Sequence, residues 1–307
     1  MQSISFYLKN PKVVGNIILY RFCRWMPDKL YLMLKFRLWM GQWPNLKHPK
    51  SFNEKLQWLK LYNRKPEYTV MVDKVKVKDY VASVIGKEHI IPTLGVWDNP
   101  DMIDFDSLPN RFVLKCNHNS GLGMYICKDK SELNIDIVKE GLREGLKQDF
   151  YVGGREWPYK DVHRLILAEE FLEPNSDSKR EGGLKDYKFF CFDGAVKALF
   201  IAKDRDKGPH STKFDFFDEN FNHLPFTNGH PNAEIMPEKP IMFEEMKMLA
   251  AKLSKGIPHV RIDFYEVDGL VYFGEMTFFH WSGFTPFVPE EWDYKFGEWL
   301  SLPQKSL

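Results

Sequence analysis

The segment RIDFYEVDGLVYFGEMT, residues 261–277, constrains the fold more strongly than any other part of the chain. Two runs of aromatic and β-branched residues meet at Asp268-Gly269, a dipeptide typical of a tight hairpin turn, so the segment predicts two antiparallel strands. A short hairpin can bring Asp263 and Glu275 side by side. Two converging carboxylates form an oxygen site that suits magnesium, although paired strand acids are also found simply facing solvent.

Arg261 precedes Asp263 by two positions and shares its face of the strand, because strand side chains alternate with a period of two. An arginine beside magnesium-binding acids can hold phosphoryl oxygens and stabilise the negative charge that develops during their transfer. A strand salt bridge is the ordinary alternative. The array therefore points to phosphoryl chemistry only in combination with other features.

The segment RFVLKCNHNSGLGMYICKD, residues 111–129, predicts a strand, a glycine loop and a second strand. Lys115 ends the first strand, and Ser120, Gly121 and Gly123 follow in the turn. Glycine lets backbone N–H groups approach phosphate oxygens, and the lysine adds a positive charge. The loop has neither the final Gly-Lys-Ser/Thr of a Walker A motif nor the third glycine of the dinucleotide fingerprint. A plain hairpin is the alternative.

The remaining pattern predicts a chain of mixed helices and strands. A Ser N-cap with Glu54 three positions later begins a helix at residue 51. Further predicted elements are a helix at 72–86, a strand at 89–97, a helical stretch at 132–151, a strand at 164–172, a polar loop at 173–183, a hairpin-rich sheet from 186 and a helix at 242–255. The sum is an α+β arrangement with two sheet-containing lobes that face each other.

The formal net charge of +1 conceals a basic N-terminus, because residues 1–50 hold nine Lys or Arg and a single acid, Asp28. Pro27 splits this region into two short helical patterns. Their mixture of aromatic and basic residues favours a helix pair docked on the protein's own core, with an anionic membrane surface as the alternative. We expect a cytoplasmic protein, with a peripheral position at the inner face of the membrane as the alternative.

The cysteines also favour a reducing compartment, because the four of them lie far apart without a CxxC pair. The sequence contains no run of about 18 apolar residues and no signal-peptide pattern at its start. We expect neither a membrane-spanning segment nor a nucleic-acid partner.

Taken in order, these pieces resemble the ATP-grasp superfamily, and specifically the TupA-like ATP-grasp proteins of bacterial surface polysaccharide and teichuronopeptide synthesis. The match runs from about Ser51 to Phe287. It is carried by VDKVKVKDYV, by FVLKCNHNSG, by EEFL followed by DYKFFCFDG, and by HVRIDFYEVDGLVYFGEMTFFHWSGF. The resemblance implies an ATP-grasp fold in which two α+β lobes sandwich ATP, with a helical N-terminal element in place of a full domain before them.

The resemblance also implies a four-part organisation and a role for each matching residue. The parts are a basic helical element at 1–50, a helical and short-strand region at 51–110, a small lobe with the glycine flap at 111–172 and a large lobe with the magnesium site at 173–307. The implied ATP-binding residues are Lys74, Lys115, Ser120, Gly121, Gly123, Glu169, Glu170, Phe171 and Leu172. The implied metal ligands are Asp263, Glu275 and Thr277, and the catalytic residues are Arg261 and Lys188.

The candidate substrate residues are His118, Lys203, Arg205, His280 and Ser282. His118, His280 and Ser282 flank the flap and the metal strand in sequence. Lys203 and Arg205 follow Lys188 in the region predicted as the second sheet. The aromatic residues beside His280 could stack on a sugar ring. Thr277 departs from the pattern, because ATP-grasp enzymes usually carry Asn at this position. This departure leaves a second magnesium ion in question.

The implied activity is an ADP-forming carboxylate–amine ligase that uses ATP and Mg²⁺ and passes through an acyl phosphate. The implied substrates are a uronic-acid-containing glycan and an amino acid or amino sugar. Three alternatives remain open at this point: a glycosyltransferase with Asp104-Phe-Asp106 or Asp204-Arg-Asp206 as its metal motif, a sugar or lipid kinase, and a non-catalytic scaffold.

Overall fold

The computed structural model describes residues 10–173, 184–204 and 211–305. The helices are α1 (Pro11–Phe22), α2 (Asp28–Met40), α3 (Phe52–Tyr62), α4 (Glu67–Val72), α5 (Val77–Ile85), α6 (Ile135–Lys147), α7 (Phe150–Gly154), α8 (Phe243–Ser254) and α9 (Glu291–Trp299). The strands are β1 (Thr93–Trp97), β2 (Phe112–Cys116), β3 (Tyr125–Cys127), β4 (Ile166–Glu170), β5 (Asp186–Phe192), β6 (Ala195–Lys203), β7 (Lys213–Asp218), β8 (Thr227–Asn228), β9 (Val260–Val267), β10 (Leu270–Thr277) and β11 (Phe287–Val288).

Two antiparallel sheets form the two lobes, as the sequence predicts. The first sheet has the strand order β1-β4-β2-β3, and the second has the order β10-β9-β5-β6-β7. Because β1 pairs with β4, the first sheet takes a strand from residues 93–97. The first sheet therefore includes a strand that precedes residue 111, the predicted start of the small lobe. Most of the predicted polar loop at 173–183 lies outside the described residues.

Helix α3 joins the helical region to the second sheet. Ser51 and Glu54 form the predicted capping box at its start. The adjacent Phe52 is fully buried and makes edge-on contacts with several rings. These rings belong to Phe190, Phe192, His259, Phe287 and Phe296. Aromatic burial of this kind makes a large contribution to the free energy of folding, and it fixes α3 against the sheet.

The predicted helix at 72–86 is interrupted, and the interruption positions a site residue. Chain direction changes between α4 and α5, where the Asp73 carboxylate accepts the backbone N–H of Val75 and the side-chain amide of Asn117. The backbone N–H of Lys74 donates to the Asn117 carbonyl. Helical periodicity continues across this break, so the sequence gives no sign of it. The break places Lys74 beside the end of β2.

The N-terminal helix pair docks on the protein, which is the alternative that the sequence favours. Leu32 and Phe36 of α2 pack against Phe284. Lys35 donates to the Gly153 carbonyl, and Arg155 donates to carbonyl groups in the α1–α2 connection. In the described part of the chain, no helix is long and apolar enough to span a membrane.

Candidate functional site

The second sheet brings the predicted metal ligands together. Asp263 on β9 pairs directly with Glu275 on β10 and with Lys188 on β5. This alignment depends on a bulge. Val267 pairs with Leu270, and a regular ladder from that pair would place Gly274, not Glu275, opposite Asp263. The register shifts between Phe273 and Glu275, so both carboxylates reach the same face.

Arg261 connects the groups on this face. Its Nε and Nη2 donate to the two Asp263 oxygens at 2.7 Å each, a bidentate geometry that is among the strongest found in proteins. Nη2 also donates to Glu275 Oε1 at 3.2 Å and to Thr277 Oγ1 at 3.0 Å. Lys188 contacts Asp263 and lies 3.1 Å from Asp186. The predicted catalytic cations and metal ligands therefore form one cluster.

Burial and charge act in opposite directions on the two carboxylates. Burial raises the pKa of Asp263, and Arg261 and Lys188 oppose that rise. Burial also disfavours ionised Glu275, yet Lys74 and the other nearby cations lower the pKa of Glu275 to about 2. Glu275 is consequently ionised at neutral pH and available as an oxygen ligand.

The first sheet supplies a second set of charges. Glu169 on β4 is buried and contacts Lys115 on β2, and Lys78 Nζ lies 2.7 Å from the other Glu169 oxygen. These lysines lower the pKa of Glu169 although burial acts in the opposite direction. Lys115 therefore lies on the first sheet at the point where the flap begins, as predicted.

Lys74 lies between the charged residues of the first sheet and those of the second sheet. Its Nζ donates to the Asn119 carbonyl at 2.6 Å, and its charge acts on both Glu275 and Glu169. Burial lowers the pKa of Lys74, because the charged form loses hydration. An anionic ligand beside Lys74 would replace that hydration. The cations of the two sheets thus converge around one space.

The glycine loop between β2 and β3 has the backbone freedom that the sequence suggests. Gly121 has φ +84° with open space around its Cα, and Ser120 is exposed beside it. Gly123 has φ +71°, and a Cβ there would lie 2.9 Å from the Cα of Gly145 in α6. The loop is therefore packed on α6 at Gly123 and open at its tip.

The residues expected to hold adenine continue from β4. Glu170 is exposed, and its backbone N–H donates to the Pro92 carbonyl. The ring of Phe171 lies under the guanidinium of Arg111, and Leu172 is half-buried. Their adenine-binding role stays a prediction.

Three predicted substrate residues have hydrogen-bond partners within the protein. His118 is buried, and its Nε2 donates to the Gln148 carbonyl. His280 is buried between Arg261 and Asn228, and Ser282 Oγ donates to Glu156. Buried polar groups in loops need partners of this kind, and the role of these three residues in substrate binding stays a prediction.

Lys203 lies apart from the cluster at the end of β6, where it pairs with Lys213 in the register of β7. Arg205 lies outside the described residues. In the described part of the chain, Lys203 is not among the residues that contact Arg261.

Three members of the site escaped the sequence reasoning. Lys78 follows Lys74 by four positions in the segment predicted as helix, and Asp186 shares a strand face with Lys188, so spacing could have found both. Asn228 could not have been found, because it reaches the site from a short strand far away in sequence.

A magnesium ion fits the donors that are present. Asp263 and Glu275 offer hard oxygen atoms on one face, with the Thr277 hydroxyl next to them. Among the described residues, no group of three or more His, Cys, Asp and Glu forms a metal cage. Magnesium commonly binds through one or two carboxylates and completes its shell with water and phosphate oxygens, which suits this donor set.

Together these contacts bring cations of both antiparallel sheets close to the carboxylates of Asp263 and Glu275. A family model described as TupA-like ATPgrasp matches residues 54–301, well over half of the chain, and the chain therefore belongs to the TupA-like ATP-grasp family. It is an ATP-dependent ligase with the ATP-grasp fold, as its sequence resemblance implies.

Solved structures of other ligases are similar at low identity. The D-alanine–D-alanine ligase from Helicobacter pylori is 16% identical over 83% of this chain and 70% of that chain, with a TM-score of 0.47. The corresponding ligase from Bacillus anthracis is 17% identical over 68% of this chain and 57% of that chain, with a TM-score of 0.38. The ATP-grasp ligase PsnB, complexed with minimal precursor, Mg and ADP, is 12% identical over 74% of this chain and 57% of that chain, with a TM-score of 0.39. The match spans less than two thirds of the last two chains. No curated protein sequence matches this chain.

Replacement of Glu275 tests the metal site. We expect Glu275→Ala to weaken Mg-ATP binding by at least about tenfold, because one carboxylate ligand is lost. Binding of ATP in the presence of EDTA should change much less. Isothermal titration calorimetry with and without magnesium measures both quantities. Asp268→Asn at the tip of the same hairpin is the matched control and should bind like the wild type; equal Mg-ATP affinity in Glu275→Ala would exclude this residue as a ligand.

Two buried histidines should be neutral in opposite tautomers. His280 Nδ1 accepts from Arg261, so its proton is on Nε2, whereas His259 Nδ1 donates to the Cys191 carbonyl. Burial lowers the pKa of His259 to about 3 and that of His280 well below its usual value. We expect ¹⁵N NMR to show both tautomers unchanged from pH 7 to pH 5.

The lowered pKa values of His259 and His280 also affect the stability of the folded protein. Below about pH 6.5 the unfolded chain binds protons at these imidazoles and the folded protein does not, so the free energy of unfolding should fall as the pH is lowered. Urea unfolding at pH 7 and pH 5 measures this change. Protonation of either ring in the folded protein at pH 6 would contradict the assignment.

Proposed function

We propose that the protein is an ADP-forming carboxylate–amine ligase that uses Mg-ATP and passes through an acyl phosphate. The single observation that carries the proposal is the array of buried Arg261 and Asp263 with half-buried Glu275, on which Lys115 of the first sheet and Lys74 between the two sheets act. Family membership adds the ligase class.

Each group has a role in this proposal. Lys74 and Lys115 hold the phosphates of ATP, and Asp263 and Glu275 hold magnesium, which neutralises charge on the phosphates. Arg261 stabilises the phosphoryl group while a carboxylate oxygen attacks the γ-phosphorus and ADP leaves. The amine then attacks the acyl carbon, loses a proton and displaces phosphate. Positioning and charge neutralisation supply most of the catalysis.

The substrates we propose are a uronic-acid-containing surface glycan or its precursor and an amino acid or amino sugar. This pairing follows the family resemblance of the sequence. The glycosyltransferase alternative loses support, because Asp104 accepts the backbone N–H groups of Asp106 and Ser107 and so stabilises a turn. Arg205 and Asp206 of the second triplet lie outside the described residues.

A coupled assay separates ligase from kinase. We expect phosphate release from Mg-ATP to require both a carboxylate and an amine when uronic acids are crossed with amino acids and amino sugars. With ¹⁸O in the substrate carboxylate, one labelled oxygen should appear in the released phosphate. Label that remains in a stable phosphorylated product without any amine would establish a kinase, and turnover only with a nucleotide sugar would establish a transferase.

We also propose that the N-terminal helix pair contacts an anionic membrane surface, and that the protein works at the inner face of that membrane in the cytoplasm. Ile18 and Phe22 lie one helical turn apart on α1, and Trp25 Nε1 donates to the Phe22 carbonyl. Phe22 and Trp25 are 69% and 79% exposed. Exposed Arg21 and Lys29 flank them, so the ridge combines apolar insertion with positive charge.

Vesicle sedimentation tests this contact with the full chain. We expect binding to vesicles that contain phosphatidylglycerol, weaker binding to pure phosphatidylcholine, and loss of binding in a Phe22→Ser/Trp25→Ser double variant. The matched control is Ile235→Ser/Ile241→Ser, which changes two equally exposed apolar residues elsewhere. Retained binding in the first variant, or self-association that the same change removes, would overturn the membrane assignment.

A further inference from the structure

Trp281 is a large exposed side chain on the functional face of the second sheet. Lys188 pairs with Phe200 on β6, and Ala202, two residues further along β6, pairs with Phe214 on β7. Because faces alternate with a period of two, Phe214 shares the face of Lys188. The Trp281 ring stacks on Phe214 with centroids 6.1 Å apart, and 42% of Trp281 remains exposed.

The position of the Trp281 ring is fixed from several sides. The imidazole of His230 lies 5.8 Å from the Trp281 ring and 4.5 Å from Phe214. A Cβ on Gly229 would lie 2.7 Å from Trp281 Nε1, so the indole rests on the Gly229 backbone. The ring is thus a rigid surface with one side open.

The backbone that presents Trp281 is strained. Trp281 has φ 48° and ψ 26°, and Ser282 has φ 56° and ψ 15°. Left-handed conformations are energetically unfavourable for residues other than glycine. Two in succession persist only where the surrounding structure enforces them, and such strain clusters at functional sites.

Buried groups enforce this turn. Lys60 Nζ donates to the Ser282 carbonyl at 2.7 Å, and Gln57 Nε2 donates to the same oxygen at 3.1 Å. Ser282 Oγ donates to the buried Glu156. Neither Lys60 nor Glu156 belongs to the cluster of Arg261, Asp263 and Glu275. Their burial is explained by the turn that they stabilise.

The turn also joins the ring to the reacting centre. His280 precedes Trp281 and accepts a hydrogen bond from Arg261 Nη1 at 3.0 Å. The His280 and Trp281 ring centroids are 5.9 Å apart, so a molecule whose carboxylate lies beside Arg261 can extend towards the Trp281 ring. A flat aromatic face suits the C–H face of a pyranose ring.

We propose that Trp281, supported by Phe214 and His230, is the binding platform for the pyranose ring of a sugar acid whose carboxylate is activated at Arg261. This inference rests on the proposed ligase function and adds the residues that receive the sugar ring of its carboxylate substrate. The fixed positive charge of Arg261 disfavours the alternative occupant, the ammonium group of the amine substrate.

NMR titration with methyl β-D-glucuronide in the presence of Mg-ADP tests the platform. We expect the glucuronide to shift the Trp281 indole N–H signal, assigned by its disappearance in Trp281→Phe. Trp281→Ala should weaken glucuronide binding by at least about tenfold, and Trp281→Phe should retain most of the affinity. Mg-ADP affinity should be unchanged in both variants, and Trp43→Ala, which removes another exposed indole, should behave like the wild type.

The outcomes separate this inference from the ligase function. Absence of any glucuronide binding, or equal binding in wild type and Trp281→Ala, would overturn the platform. A shift of the indole signal by glucosamine and not by the glucuronide would assign the ring to the amine. Turnover that needs an amine and a carboxylate without a sugar ring would leave the ligase standing while the platform fails.

Discussion

Arg261 donates two hydrogen bonds to Asp263 and a third to Glu275 in a largely buried position. Buried carboxylates and guanidinium groups are tolerated only when they are paired and hydrogen-bonded. The local architecture meets this requirement: the bulge in β10 brings Glu275 into register, and β5 places Lys188 on the other side of Asp263. The functional charges therefore hold one another in place before any ligand binds.

Aromatic packing supports this polar face. Phe190 and Phe200 contact the imidazole of His280, and Phe200 also lies under the guanidinium of Arg261. On the side of α3, Phe52 packs against Phe190. Rings with few rotatable bonds give a rigid environment at low entropic cost, so the orientation of Arg261 is set by the core of the large lobe.

Strand, turn and helix-capping signals in the sequence predict much of the fold. Asp268-Gly269 closes the β9–β10 hairpin, Asp193-Gly194 closes the β5–β6 hairpin, and the capping box begins α3 where expected. These signals are local, since a turn or a cap is decided by a few neighbouring residues. The break between α4 and α5 is different, because it depends on Asn117, which is distant in sequence.

The sequence alone determined the residue types of the site, the strands that carry them and the family resemblance, because motif spacing and hairpin turns are local properties. Only the tertiary structure decided which residues meet. The bulge at Gly274 aligned Glu275 with Asp263, and the fold turned His280 inward to Arg261 while leaving Trp281 exposed. Register and burial depend on contacts between segments far apart in the chain, which periodicity within one segment does not encode.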